Sequence, residues 1–128
     1  MNFDKNPTAP HLQIYKWQVS SLLSITHRIV GVINIVAITI ICFWAIFLSL
    51  SEVNYENVKV FLDSFLGKFL IISLCWTFSF HILNEIRHLA WDLGYGFDIK
   101  ISKITGILAI IGSFILTIII YLVGNPFF

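Results

Sequence analysis

The chain has 128 residues, 58% hydrophobic and only 12% charged, with a formal net charge of +1 and a mean hydropathy of +0.89. These values fall outside the range of soluble globular domains and describe a membrane protein. A near-neutral balance without a basic block argues against nucleic acid as a partner.

The N-terminal arm is polar, and Pro7 and Pro10 predict an extended course, because each proline removes a donor and biases its predecessor away from the helical region. With Asp4 early and no short apolar core, the arm reads as neither a signal peptide nor an Arg-rich transit sequence. A first spanning helix is predicted over about 20–50, since no charge occurs from Ile29 to Ser51, enough to cross a hydrocarbon core of about 30 Å. Asn54 to Asp63 reads as a short amphipathic stretch at the membrane surface. The second span covers about 68–92. Its uncharged part, Phe69 to Asn84, is short, so Lys68 snorkels at one end while Glu85 and Arg87 reach water or partners at the other. A turn at Gly94 and Gly96 leads to the third span, about 103–124, where Gly106, Ala109, Ser113 and Thr117 form a small-residue face for close packing.

The expected fold is therefore all-α, a single transmembrane domain over 1–128 with three spanning helices. Lys5, Lys16, Arg28, Arg87, Lys100 and Lys103 lie at the N-terminus or around the second connection, whereas the first connection dilutes Lys59 and Lys68 with Glu52, Glu56 and Asp63. This asymmetry predicts the N-terminus inside and the C-terminus outside. Three spans leave little room for an enclosed active site, so inward polar groups are expected to meet a partner subunit. Cys42 and Cys75, both in apolar spans, read as buried small hydrophobes.

A charge or imidazole within a span costs free energy and is a site hypothesis by default. On the first span Ser20, Ser24, His27, Gly31 and Asn34 recur at three- and four-residue spacing as one polar stripe, with Arg28 a turn from Ser24. Hydrogen bonding between helices accounts for Ser20 and Asn34. It does not account for Arg28, whose guanidinium keeps its proton and needs an anionic or strongly accepting partner unless it snorkels. On the second span His81, Glu85, His88 and Asp92 share a face and Arg87 falls on another. A neutral imidazole can hold haem iron in a bilayer without adding net charge, and Arg28 and Arg87 could neutralise propionates. Spacing alone leaves a haem ligand and a hydrogen-bonded packing histidine equally open. No nucleophile triad, phosphate loop, zinc spacing or close carboxylate pair is present.

Read in order, Pro10-His11-Leu12-Gln13-Ile14-Tyr15, then Ser24-Ile25-Thr26-His27-Arg28-Ile29-Val30-Gly31, then His81 followed by Ile86-Arg87-His88-Leu89-Ala90-Trp91-Asp92 closely resemble the large membrane-anchor subunit of succinate dehydrogenase, the cytochrome b subunit of respiratory complex II. The resemblance covers all three spans. It implies a chain without succinate chemistry of its own, working with a flavoprotein subunit, an iron–sulfur subunit and a second small membrane-anchor subunit to pass electrons to ubiquinone. It implies that His81 is an axial ligand of haem b, the other imidazole coming from the second anchor. Ser24 and Arg28 would line the quinone site, with Trp17 at its rim, and His27, Arg28 and His88 would hold haem propionates. The family usually has Gly where this chain has Glu85, which would instead pair with His88 or a basic group of the partner. The implied place is the bacterial inner (cytoplasmic) membrane, or the mitochondrial inner membrane if the chain is organelle-encoded. The alternatives are the anchor of a fumarate reductase working with menaquinone, and a non-redox membrane scaffold or transporter.

Overall fold

The computed structural model describes residues 17–124. The proline-containing arm, with its Pro10 to Tyr15 motif, and the last four residues lie outside the described residues. The described chain forms α1 (Val19–Ser49), α2 (Glu52–Asp63), α3 (Phe65–Asp92) and α4 (Ile99–Gly124), with no strand among the described residues. α1, α3 and α4, at 31, 28 and 26 residues, are each long and apolar enough to cross a membrane. At about 1.5 Å per residue all three exceed a core of about 30 Å.

Caps lengthen two of these helices beyond their uncharged segments. α3 begins at Phe65, ahead of Lys68, because the Ser64 hydroxyl accepts from the Gly67 N–H at 3.2 Å. α4 begins at Ile99, ahead of Lys103, because Asp98 accepts from the Lys100 N–H at 3.2 Å. Gly94 and Gly96, both at positive φ (87° and 83°), turn the chain between α3 and α4.

The step from α2 into α3 is tight. A Cβ on Gly67 would meet the Phe61 carbonyl and lie 2.6 Å from Leu62 Cα, backbone that cannot rotate away. Gly67→Ala is therefore expected to destabilise the protein by about 1–3 kcal/mol. Thermal unfolding of the purified protein checks this, and an unchanged midpoint would show that the corner relaxes freely.

Polarity is inverted relative to a soluble bundle. The buried residues of α4 are Gly106, Ala109, Ser113 and Thr117, the small-residue face, while Ile104, Leu108, Ile111 and Ile118 point outward. Lipid tails are as apolar as leucine, so helices associate here through close backbone approach and hydrogen bonds rather than by hiding apolar area. Buried hydroxyls satisfy themselves on their own helix: Ser79 donates to the Cys75 carbonyl at 2.7 Å and Ser113 to that of Ile110 at 2.7 Å. Leu23, Val30 and Phe80 form the small apolar core, and Trp76 stacks on Phe80 at 5.7 Å and meets Phe114 at 5.6 Å. Cys42 departs from its expected burial. It faces outward on α1, while Cys75 is half-buried, and both thiols are free.

Candidate functional site

The contact seam of α1 is Leu23, Val30, Asn34 and Ala37, and His27 sits within it, half-buried against α3. His81 answers from the same depth. The two imidazoles stack at 4.4 Å with an interplanar angle of 11°, and the His88 ring lies 5.4 Å from that of His27. Gly31 makes room for this arrangement: a Cβ there would lie 3.4 Å from His81 Cε1. The four-residue step from His27 to Gly31 thus places a ring and a gap for a ring on one side of α1.

Glu85 closes the group. Its Oε1 is 3.1 Å from His27 Nε2 and 3.9 Å from His81 Nε2, so it pairs with these rings and not with His88 as expected. His88 instead approaches Asn84 Nδ2 at 3.5 Å. One ligand atom from each of His27, His81 and Glu85 lies within 4.8 Å of the others, a grouping spread over α1 and α3 that no linear spacing shows. The buried His81 Nδ1 and Asn84 Oδ1, like Asn34 Oδ1 and Trp76 Nε1, have no hydrogen-bond partner among the described residues, and His27 Nε2 has only the Glu85 contact. Buried orphan polar atoms are uncommon and call for a reason. The one on His81 belongs to a stacked pair of imidazoles, the side chain suited to holding a metal centre in a bilayer.

Arg87 is turned away from this group and is not available to an anionic ligand beside the histidines. Its guanidinium donates to the Ser102 carbonyl at 2.9 Å, the Ser102 hydroxyl at 3.0 Å and the Thr105 hydroxyl at 3.2 Å, and lies 4.1 Å over the Trp91 ring. It pins the start of α4 to the end of α3. Trp91 in turn meets His88 edge-on at 5.1 Å. Arg87→Leu is expected to cost about 2 kcal/mol, since a hydrogen bond to a charged group contributes about 1.5–3 kcal/mol. A lowered unfolding temperature with faster proteolysis between 93 and 98 would bear this out, whereas unaltered stability would mean the contacts are incidental.

The remaining sequence candidates divide. Ser24, Arg28 and Trp17 are exposed on the outer side of α1 and its approach. Among the described residues Ser24 and Arg28 have no hydrogen-bond or ion-pair partner. The polar stripe of α1 is accordingly not one face. Asn34 is buried and donates to the Thr77 carbonyl at 3.4 Å, His27 faces α3, and Ser24 and Arg28 present a hydroxyl and a guanidinium outward at the same end of the bundle. Glu85, with its side chain 56% exposed, opens on that end too.

The fold and this cluster define a three-span helical membrane protein that brings His27, His81 and His88 together at one end, where Ser24 and Arg28 face outward. The model of the succinate dehydrogenase/fumarate reductase transmembrane subunit family matches residues 3–120, and the chain belongs to that family. Among similar proteins are the succinate dehydrogenase cytochrome b556 subunits of Rickettsia felis and Rickettsia conorii, 41% and 40% identical with 93% of both chains covered. The succinate dehydrogenase cytochrome b560 subunit of Reclinomonas americana is 33% identical over 96% of this chain and 88% of its own.

Proposed function

We propose that this chain is a membrane anchor of a succinate:quinone oxidoreductase that holds haem b jointly with a second anchor subunit and forms part of the site where ubiquinone is reduced. The observation that carries the reading is the stacked His27–His81 pair, with the His81 Nδ1 orphaned among the described residues, at the end of the bundle where Ser24 and Arg28 point outward. Family membership supplies the frame, and the cytochrome names of the relatives support the haem. Their succinate dehydrogenase names favour succinate oxidation over the fumarate-reducing, menaquinone-linked reading, and a stacked imidazole pair with an unsatisfied ring nitrogen is poor material for a bare scaffold.

His81 is the residue assigned to the iron. It lies deeper in the span than His88, its ring is seated against Gly31, and its buried Nδ1 has no hydrogen-bond partner among the described residues. Glu85 is the nearest group to its Nε2 and, being more than half exposed, can turn aside. His27, Arg28 and His88 are assigned to the propionates. When bound, the haem would supply a one-electron carrier, with His81 the residue of this chain that would hold its iron. Ser24 and Arg28 bind and orient the quinone: the hydroxyl and guanidinium donate to its carbonyl oxygens, and the fixed charge favours the anionic character that develops as electrons arrive. Trp17, two residues before α1, is assigned to the rim. The flavoprotein and iron–sulfur subunits dock at this end, which faces the inside of a bacterial inner membrane, with the C-terminal end of α4 outside.

The deciding experiment is an optical spectrum of the purified assembly before and after succinate. A b-type haem that succinate reduces supports the proposal. Absence of haem, or a haem that succinate leaves oxidised, returns the chain to a scaffold role.

A further inference from the structure

At the end of the bundle opposite the histidines, α2 lies over a cavity of about 400 Å³ between α1, α3 and α4, within the range of small-molecule sites, about 300–1,000 Å³. Leu48 near the end of α1 borders it. His27 is 21 residues away on the same helix, roughly 30 Å along the axis. The cavity is therefore separate from the histidine site, and nothing in the proposed function uses it.

Its lining changes character along one helix face. Lys68, Ile71 and Cys75 follow three- and four-residue spacing on α3 and all border the cavity, so one wall runs from a cation at the mouth to apolar side chains about 10 Å deeper. From α2, Lys59 and Asp63 border the same cavity. Among the described residues none of Lys59, Asp63 and Lys68 has an ion-pair partner, and these three give the cavity's own lining a net charge of +1, Glu52 and Glu56 of α2 lying outside it. Two hydroxyls, on Tyr55 and Tyr121, also border it.

We infer that this cavity binds one anionic glycerophospholipid, its phosphate held by Lys59 and Lys68 and an acyl chain lying along Ile71 and Cys75. An isolated apolar pocket would accept many hydrocarbons. The unpaired lysines above an apolar wall match a ligand with a phosphate at one end and an alkyl chain at the other. A lysine close to a lipid phosphate attracts it by a modest amount, and the enclosing walls of α2, α3 and α4 hold this one in place. The proposal is independent of haem and quinone.

The test is native mass spectrometry of the full-length chain, purified with the subunits that accompany it and exchanged into detergent carrying phosphatidylglycerol, phosphatidylcholine or diacylglycerol. One phosphatidylglycerol per copy is expected to be retained, phosphatidylcholine less, and diacylglycerol, which lacks the phosphate, not at all. Each of Lys59→Gln and Lys68→Gln should lower retention roughly fivefold. Cys75→Phe should exclude the lipid by filling the wall while leaving both lysines. Without any substitution, phosphatidylglycerol should slow maleimide labelling of Cys75 and leave that of the outward Cys42 unchanged. Equal retention of all three lipids, or retention and Cys75 labelling indifferent to these changes, means annular lipid only and overturns the inference.

Discussion

Replacing Ser24 by Ala or Arg28 by Leu is expected to lower succinate-to-ubiquinone turnover roughly a hundredfold, while succinate oxidation with an artificial acceptor at the flavoprotein stays near its normal rate. The magnitude follows from loss of a hydrogen bond or charge directed at an oxygen that becomes anionic, about 3 kcal/mol. The split follows from position. Both residues lie on the exposed side of α1 without internal partners, so neither substitution disturbs the seam of Leu23, Val30 and Asn34 that holds α1 to the bundle. Assays of the two activities on the same preparation check it. Equal loss of both would indicate misassembly, and normal quinone turnover in both variants would remove these residues from the site.

His81→Ala is expected to abolish six-coordinate, low-spin haem in the assembled complex. His81 lies within the span and is stacked on His27, so its removal leaves a gap beside Gly31 that water can enter. Some haem can then persist with altered ligation. The quantity to read is therefore spin and coordination state, not haem content. A bis-imidazole spectrum unchanged by the substitution would exclude His81.

The sequence carries the three spans because length and hydropathy decide membrane insertion largely segment by segment. It also carries the inner face of α4, since the absence of large side chains at Gly106, Ala109, Ser113 and Thr117 is itself the packing signal. The shared depth of His27 and His81 follows from antiparallel spans of known length. What periodicity could not give was rotation between helices. Whether Ser24 and Arg28 point with His27 or away from it depends on how α1 is turned against α3, which the Gly31–His81 contact decides. Arg87 and Glu85 are two residues apart, yet one is spent on Ser102 and Thr105 of α4 and the other on the histidines. Those partners come from helices distant in the chain, so only the assembled bundle assigns them. Glu85 is the clearest case. Within this chain it is the His27 and His81 rings, not His88, that lie against its carboxylate, because α1 brings an imidazole to within 3.1 Å.

The central claim is that one of the clustered imidazoles, and only that one, binds haem iron. Magnetic circular dichroism of the oxidised assembly reads axial ligation directly and can be compared across His27→Ala, His81→Ala and His88→Ala. A bis-imidazole signal is expected to survive in the His27 and His88 variants and to disappear in the His81 variant. Loss of that signal in His27→Ala with its retention in His81→Ala would contradict it.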